Sequence, residues 1–162
     1  PLFKRSLRYL MRRMRPQDKV AVIAYSGEAR VVVPSTPAKQ ADAIIAAIDS
    51  IESKGKTNVL KGLELAYQMA EEHFIDDGNN RLIMATDGYF NVVAPIPQLV
   101  KTKAAQGYAL SIFFMGKNDE PRYLQNSRKL AGIGGGNFYK VSYENTRTAL
   151  IREAKAVRNE EK

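Results

Sequence analysis

Cysteine and tryptophan are absent from this sequence, and histidine occurs once, at His73. Without thiols there are no disulfides, thiolate metal sites or cysteine nucleophiles. A lone histidine, with no serine in a nucleophile-elbow setting, gives no catalytic triad. His73 closes a helical segment and reads as a partly exposed helix-end residue. Long apolar runs are missing too, so no segment reaches the ~20 residues that a membrane-spanning helix needs. The first residues are basic and amphipathic rather than signal-like. Internal repeats, low-complexity tracts and linkers are also absent. What remains is 162 residues, 44% hydrophobic and 26% charged, the composition of an ordinary globular chain sized for one domain with a normal core.

The net charge is +8, and much of it sits early. Lys4, Arg5, Arg8, Arg12, Arg13 and Arg15 occur with no acidic residue among them, while Phe3, Leu7, Leu10, Met11 and Met14 recur at helical spacing. That pattern predicts an amphipathic helix with a basic outer face. Contact with nucleic acid or anionic lipid is one reading of such a face. No aromatic or glycine-rich nucleic-acid motif accompanies it, so a solvated helix face is the better reading and no nucleic-acid partner is expected.

Residues 19–25 (KVAVIAY) are short, β-branched and bounded by turn residues, which predicts a buried strand. Ser26-Gly27 signals a hairpin into a partner over residues 30–33, with Pro34 and Pro37 ending it. Helices are expected over 38–51, with Ile44, Ile45, Ile48 and Ile51 on one stripe, and over 59–74, capped by Thr57 or Asn58. The polar residues 53–58 separate the two. After a turn at 76–80 comes a second buried strand, 81–86, closed by Asp87-Gly88. A helix over 97–106, a very apolar strand over 109–115 and a helix over 123–131 follow. A flexible loop at 132–136, a short strand over 138–141 and a helix over 146–157 complete the order. Strands alternating with helices predict an α/β fold: a doubly wound, mostly parallel sheet with one antiparallel edge strand.

Alternation of direction then locates one end of that sheet. If strand 19–25 runs upward, the Ser26 turn is at the top; the next helix climbs to Thr57, the following one descends, and strand 81–86 rises to Asp87. Ser26, Thr57 and Asp87 are therefore expected at one end, where open α/β sheets bind ligands. The side chains are all oxygen donors.

Two glycine patterns are decoys. Gly55-Lys56-Thr57 spells the end of a phosphate-binding loop, but Ser50 stands where its first glycine should be and a helix precedes it instead of a strand. Gly132, Gly134 and Gly136 fail the dinucleotide pattern at Asn137, and a strand follows where a helix is required. Asp76-Asp77, ahead of Gly78, is explained by turn chemistry.

Two segments carry a specific resemblance. Gly55-Lys56-Thr57-Asn58, followed by a helix with Gly62 and Ala66-Tyr67, is similar to the second metal-site loop of von Willebrand factor A domains. The strand 81–86 (RLIMAT) running into Asp87-Gly88 resembles their third loop, and the element order agrees over essentially the whole chain. The stretch from Phe74 through Asn79-Asn80 to Asn91 most resembles bacterial, calcium-activated chloride-channel-like members. The resemblance implies one domain over residues 1–162 that is a ligand-binding module and not an enzyme. Its site would be a metal-ion-dependent adhesion site holding Mg²⁺, with Thr57 as hydroxyl ligand and Asp87 as acidic ligand. Ser26, Asn58 and Gly88 would line the ligand side. The implied partner is a protein presenting a carboxylate to the ion.

The family's first loop, D-x-S-x-S, does not occur in the chain. By the resemblance it belongs with a central strand, expected roughly ten to fifteen residues ahead of Pro1. Without it the metal is expected to be held weakly or not at all, and the chain to exchange or borrow strands. Association with a membrane through a further region, and a place outside the cytoplasm, rest on the resemblance alone. The competing reading is a Mg²⁺-dependent phosphoryl-transfer domain with Asp87 as acceptor and Lys117 after a later strand, although its acidic partners are missing.

Overall fold

Eleven elements follow one another in a computed structural model that describes residues 2–52, 55–87, 90–116 and 120–156. They are α1 (Leu2–Met11), β1 (Lys19–Ala24), β2 (Arg30–Pro37), α2 (Ala41–Asp49), α3 (Val59–Glu72), β3 (Arg81–Thr86), α4 (Pro95–Ala105), β4 (Ala109–Phe114), α5 (Pro121–Ile133), β5 (Gly135–Lys140) and α6 (Thr146–Lys155). The fold is α/β, with an antiparallel pair β1-β2 and a parallel three-stranded sheet in the order β3-β4-β5. The chain forms two compact units, Pro1–His73 with Thr146–Ile151 and Phe74–Asn145 with Arg152–Lys162. None of the described helices is long and apolar enough to cross a membrane.

In the first unit β1 and β2 pair from Lys19↔Pro37 to Ala24↔Arg30, with irregular register around Val22. Strand β2 thus runs through Pro34 and Pro37, the residues expected to end it. Its only strand partner among the described residues is β1, and proline's missing N–H is tolerated where one side of a strand is unpaired. Half of the isoleucine stripe is buried, at Ile44 and Ile48 of α2, while Ile45 is half-buried and Ile51 lies past the helix end. The first turn expected of that helix, Ala38–Gln40, is a 3₁₀ turn. Helix α3 packs on β1 and β2, brought close by Gly62, where a Cβ would stand 2.5 Å from that of Tyr25. Helix α1 lies on α2. Its Lys4 Nζ donates to the carbonyls of Asp49 and Ile51 at 3.0 and 2.6 Å, and Arg8 pairs with Asp49 at 2.6 Å. Cations placed at the end of α2 complement its orphan carbonyls.

In the second unit β4 is the central strand, in register with β3 from Arg81↔Ala109 to Thr86↔Phe114. Leu110 through Phe114 are at most 1% exposed, which explains why that strand reads as a continuous apolar run. Alternate residues serve opposite faces. Leu110 meets α4 near Val100, and Phe114 stacks toward Phe138, which lies under Arg128 of α5. Ser111 and Phe113 face the other way, toward Glu153 of α6 and Tyr139. The glycines of 132–136 do not form the expected flexible loop. Gly132 is helical, Gly134 is the cap and Gly135-Gly136 open β5. A Cβ on Gly136 would sit 2.1 Å from the Leu110 carbonyl oxygen, so the glycine permits strand contact rather than flexibility.

A fully buried carboxylate holds the face opposite α4. Glu153 accepts from Ser111 Oγ at 2.5 Å, Asn137 Nδ2 at 2.8 Å and the Tyr139 hydroxyl at 2.7 Å, and pairs with the Arg81 guanidinium. Arg81 also donates to Ser111 Oγ and Asn79 Oδ1, while the Asn79 amide returns to the Glu153 carbonyl at 2.8 Å. Residues of β3, β4, β5 and α6 therefore share one charge. Burial disfavours the ionised form, but the three hydrogen bonds and Arg81 outweigh it and hold the carboxyl below its ordinary value of 4.5.

A carboxyl whose folded pKa is depressed adds stability that is fully present above its unfolded pKa and is lost as pH falls through the folded one. The unfolding free energy should hold steady down to the ordinary Glu value and decline below it. Glu153→Gln should cost about 3 kcal/mol at neutral pH, the scale of breaking one side of a buried pair, and should flatten the acid limb. Urea denaturation across pH checks both.

Candidate functional site

Turn residues at the end of β1 meet the loop that precedes α3. Ser26 and Thr57 form an isolated antiparallel bridge, closed by Gly27 N–H to the Lys56 carbonyl at 2.8 Å and Asn58 N–H to the Tyr25 carbonyl at 3.1 Å. Two glycines make the approach possible. Gly27 and Gly55 have φ of 80° and 86°, the left-handed region that costs glycine little, and a Cβ on Gly55 would lie 3.2 Å from the Gly27 Cα. No local pattern in the sequence marks this shared role, because the two glycines belong to separate turns.

Asn58, and not Thr57, caps α3: its Oδ1 accepts from the Lys61 N–H at 3.1 Å. The cap thus leaves the Thr57 hydroxyl out, and Thr57 is exposed. The first unit brings together Ser26, Thr57 and Asn58, three of the residues singled out in the sequence.

Asp87 belongs to the second unit, where it follows the last residue of β3. Parallel pairing sets the carboxyl ends of three strands side by side, through Met115 N–H to the Thr86 carbonyl at 2.7 Å and Val141 N–H to the Phe114 carbonyl at 2.9 Å. Asp87 is exposed, and Phe90 beyond it is buried in the core. Gly116 is a residue that sequence reasoning missed. A Cβ there would stand 2.3 Å from the Asp87 carbonyl oxygen, so only glycine lets the strand-end backbones meet in this form. The available signal is a glycine directly after the apolar run, next to the more conspicuous Lys117. Gly88 and Lys117 lie outside the described residues.

A hydroxyl and a carboxylate are hard oxygen donors of the kind Mg²⁺ takes. They suit the ion in kind. In number they fall short of six, and no group of three or more His, Cys, Asp or Glu gathers among the described residues. An ion on either side chain would therefore keep most of its coordination as water.

Residues 1–153 match the von Willebrand factor type A domain. The chain belongs to that family. A curated relative, the uncharacterized protein YfbK of Escherichia coli (strain K12), is 38% identical over 165 residues, covering 99% of this chain and 27% of its own length. The chain thus spans about a quarter of that relative. Among solved structures, a von Willebrand factor type A protein from Catenulispora acidiphila superposes with a TM-score of 0.78 at 18% identity, over 94% of this chain and 38% of that one. BatB from Bacteroides thetaiotaomicron gives 0.74 at 21%, over 93% and 83%. Proximal thread matrix protein 1 from the mussel byssus, with a zinc-occupied MIDAS motif, gives 0.67 at 17%, over 94% and 42%. At these identities the likeness establishes the von Willebrand A fold.

The Gly116 contact yields a paired prediction. Gly116→Ala should destabilise this von Willebrand A domain by about 1–3 kcal/mol, the cost of overpacking. Gly132→Ala, in a helix with nothing within 4 Å of the added Cβ, should instead stabilise it by about 0.5–1 kcal/mol. Thermal melts of the two variants decide it, and equal shifts would overturn the role given to Gly116.

Proposed function

We propose that this chain, when joined by the family's D-x-S-x-S loop that its sequence lacks, forms a non-catalytic interaction module that recognises an acidic group of a protein ligand through Mg²⁺, with Thr57 and Asp87 as metal ligands and Ser26, Asn58 and Gly88 on the ligand side. Domains of this family are typically metal-dependent protein-interaction modules. The observation that carries the reading is the family match over residues 1–153, which includes both polar loops. Support comes from the chemistry of each loop. Thr57 is exposed while its backbone is fixed by the Ser26 bridge and its capping duty falls to Asn58. Asp87 is exposed at a strand end whose backbone is held by Thr86 and Gly116. The bound form of a mussel relative, with zinc in its MIDAS motif, favours a divalent cation.

What these residues do is positional. The bridge fixes the backbone at Thr57 and the strand-end contact fixes that at Asp87, each within its own unit, so little backbone ordering falls on binding. Mg²⁺, when bound, supplies positive charge and a site for an acidic ligand oxygen. The chain's own contribution is to place these hard donors at exposed positions beside a bridged loop and a strand end.

In the domain supplied with the D-x-S-x-S loop, Asp87→Ala should abolish heat uptake or release on titration with MgCl₂, and Thr57→Ala should weaken it, since a hydroxyl contributes less to the ion than a carboxylate. Both metal-free variants should melt within a degree or two of the parent, because exposed loop substitutions typically change stability by under about 0.5 kcal/mol. Calorimetry beside thermal melts tests this. Survival of binding in Asp87→Ala, or gross unfolding of that variant without metal, would refute the assignment.

A further inference from the structure

Two arginines from distant parts of the chain share one tyrosine ring. The Arg13 guanidinium carbon lies 4.8 Å from the centroid of Tyr9, and that of Arg147, on α6, lies 4.9 Å from the same centroid. All three residues belong to the first unit. Each stack is favourable by itself, but two like charges drawn to one ring repel each other, and that repulsion is relieved when an anion bridges them. Arg5 and Arg12 add to the same patch. Arg5 stands one helical turn before Tyr9 on α1, and Arg12 is the neighbour of Arg13 in the turn that follows the helix. Arg5, Arg12, Arg13 and Arg147 are exposed, and no ion pair holds any of them among the described residues. Lys4 and Arg8 are different: they are spent on the end of α2.

We propose that this four-arginine surface around Tyr9 is a docking site for an acidic segment of a partner protein, rich in Asp or Glu. It involves neither Thr57 nor Asp87 and stands whether or not those residues hold a metal. Carboxylates suit it because a guanidinium presents a planar fork that takes a carboxylate through two hydrogen bonds. The base-stacking mode of single-stranded nucleic acid is not available, because the Tyr9 ring already has guanidiniums over it. A membrane surface would need an apolar wedge, and the apolar side of α1 is used inside, where Leu10 and Met11 are buried.

The probe is a fluorescein-labelled decaglutamate peptide, titrated with the full chain in EDTA and followed by fluorescence anisotropy. Binding should weaken with salt. Arg13→Glu with Arg147→Glu should weaken it about tenfold or more, the scale of losing charge-assisted hydrogen bonds. Lys101→Glu with Lys129→Glu, an equal charge change on exposed positions of α4 and α5, should weaken it clearly less than the arginine pair does. The milder pair Arg13→Ala with Arg147→Ala, checked by thermal melt, serves if charge reversal unfolds the chain, and should weaken binding in the same direction. Absence of peptide binding, equal loss in both reversed pairs, or tighter binding to phosphatidylserine vesicles or to a thymidine dodecamer would overturn the proposal.

Discussion

The Glu153 carboxylate carries a full charge into a place with no solvent, and the second unit is arranged around satisfying it. Arg81 begins β3, Ser111 sits in β4, Asn137 and Tyr139 sit in β5, and each contributes a donor to the same two oxygens. A buried charge tolerates little displacement of its partners, because a lost hydrogen bond there exposes the cost of desolvation. The network therefore constrains the register of three strands relative to one another and the seat of the end of α6. Apolar packing of Leu110, Ile112 and Phe114 on the other face supplies stabilisation, but it is not directional in this way.

With register held from one side, the carboxyl ends of the strands are left for function. Thr86, Phe114 and Val141 are tied by backbone bonds, and the contact at Gly116 positions the Asp87 backbone without using its side chain. The first unit reaches the same outcome by other means, with paired positive-φ glycines and the Ser26–Thr57 bridge fixing the backbone of an exposed hydroxyl residue. In both units rigidity comes from the main chain, and polar side chains remain at the surface. The arginine patch follows a different rule. There the side chains themselves are organised by an aromatic ring, and the charge left over is what a partner would read.

Much of this is legible in the sequence because it is local. β-branched runs bounded by turns mark the strands, and the isoleucine stripe marks α2. Alternation of strand and helix direction is enough to place Ser26 with Thr57. The misses are of two kinds. Pro34 and Pro37 look like stops because proline lacks a donor, yet a strand with an unpaired side does not need that donor. Gly132–Gly136 looks like a flexible loop, whereas Gly134 and Gly136 are set by the neighbouring strand at Leu110, 24 and 26 positions away. The Glu153 cluster is invisible for the same reason: its members lie 14 to 72 positions from it. Nothing in the spacing of an arginine, a serine, an asparagine and a tyrosine announces a shared carboxylate. The family resemblance is legible where local motifs carry it, at Gly55–Asn58 and at the strand ending in Asp87.

The proposed function gives the Thr57 loop and the Asp87 strand end each a part in binding a divalent cation. Paramagnetic broadening tests it most directly, because Mn²⁺ replaces Mg²⁺ in oxygen sites and attenuates amide signals near it. In a titration of the ¹⁵N-labelled domain supplied with the D-x-S-x-S loop, amides of Lys56, Thr57 and Asn58 should broaden together with that of Asp87, at the lowest Mn²⁺ concentrations and before any others. Broadening at only one of the two loops, or first around the acidic turn at Asp76 and Asp77, would contradict the account.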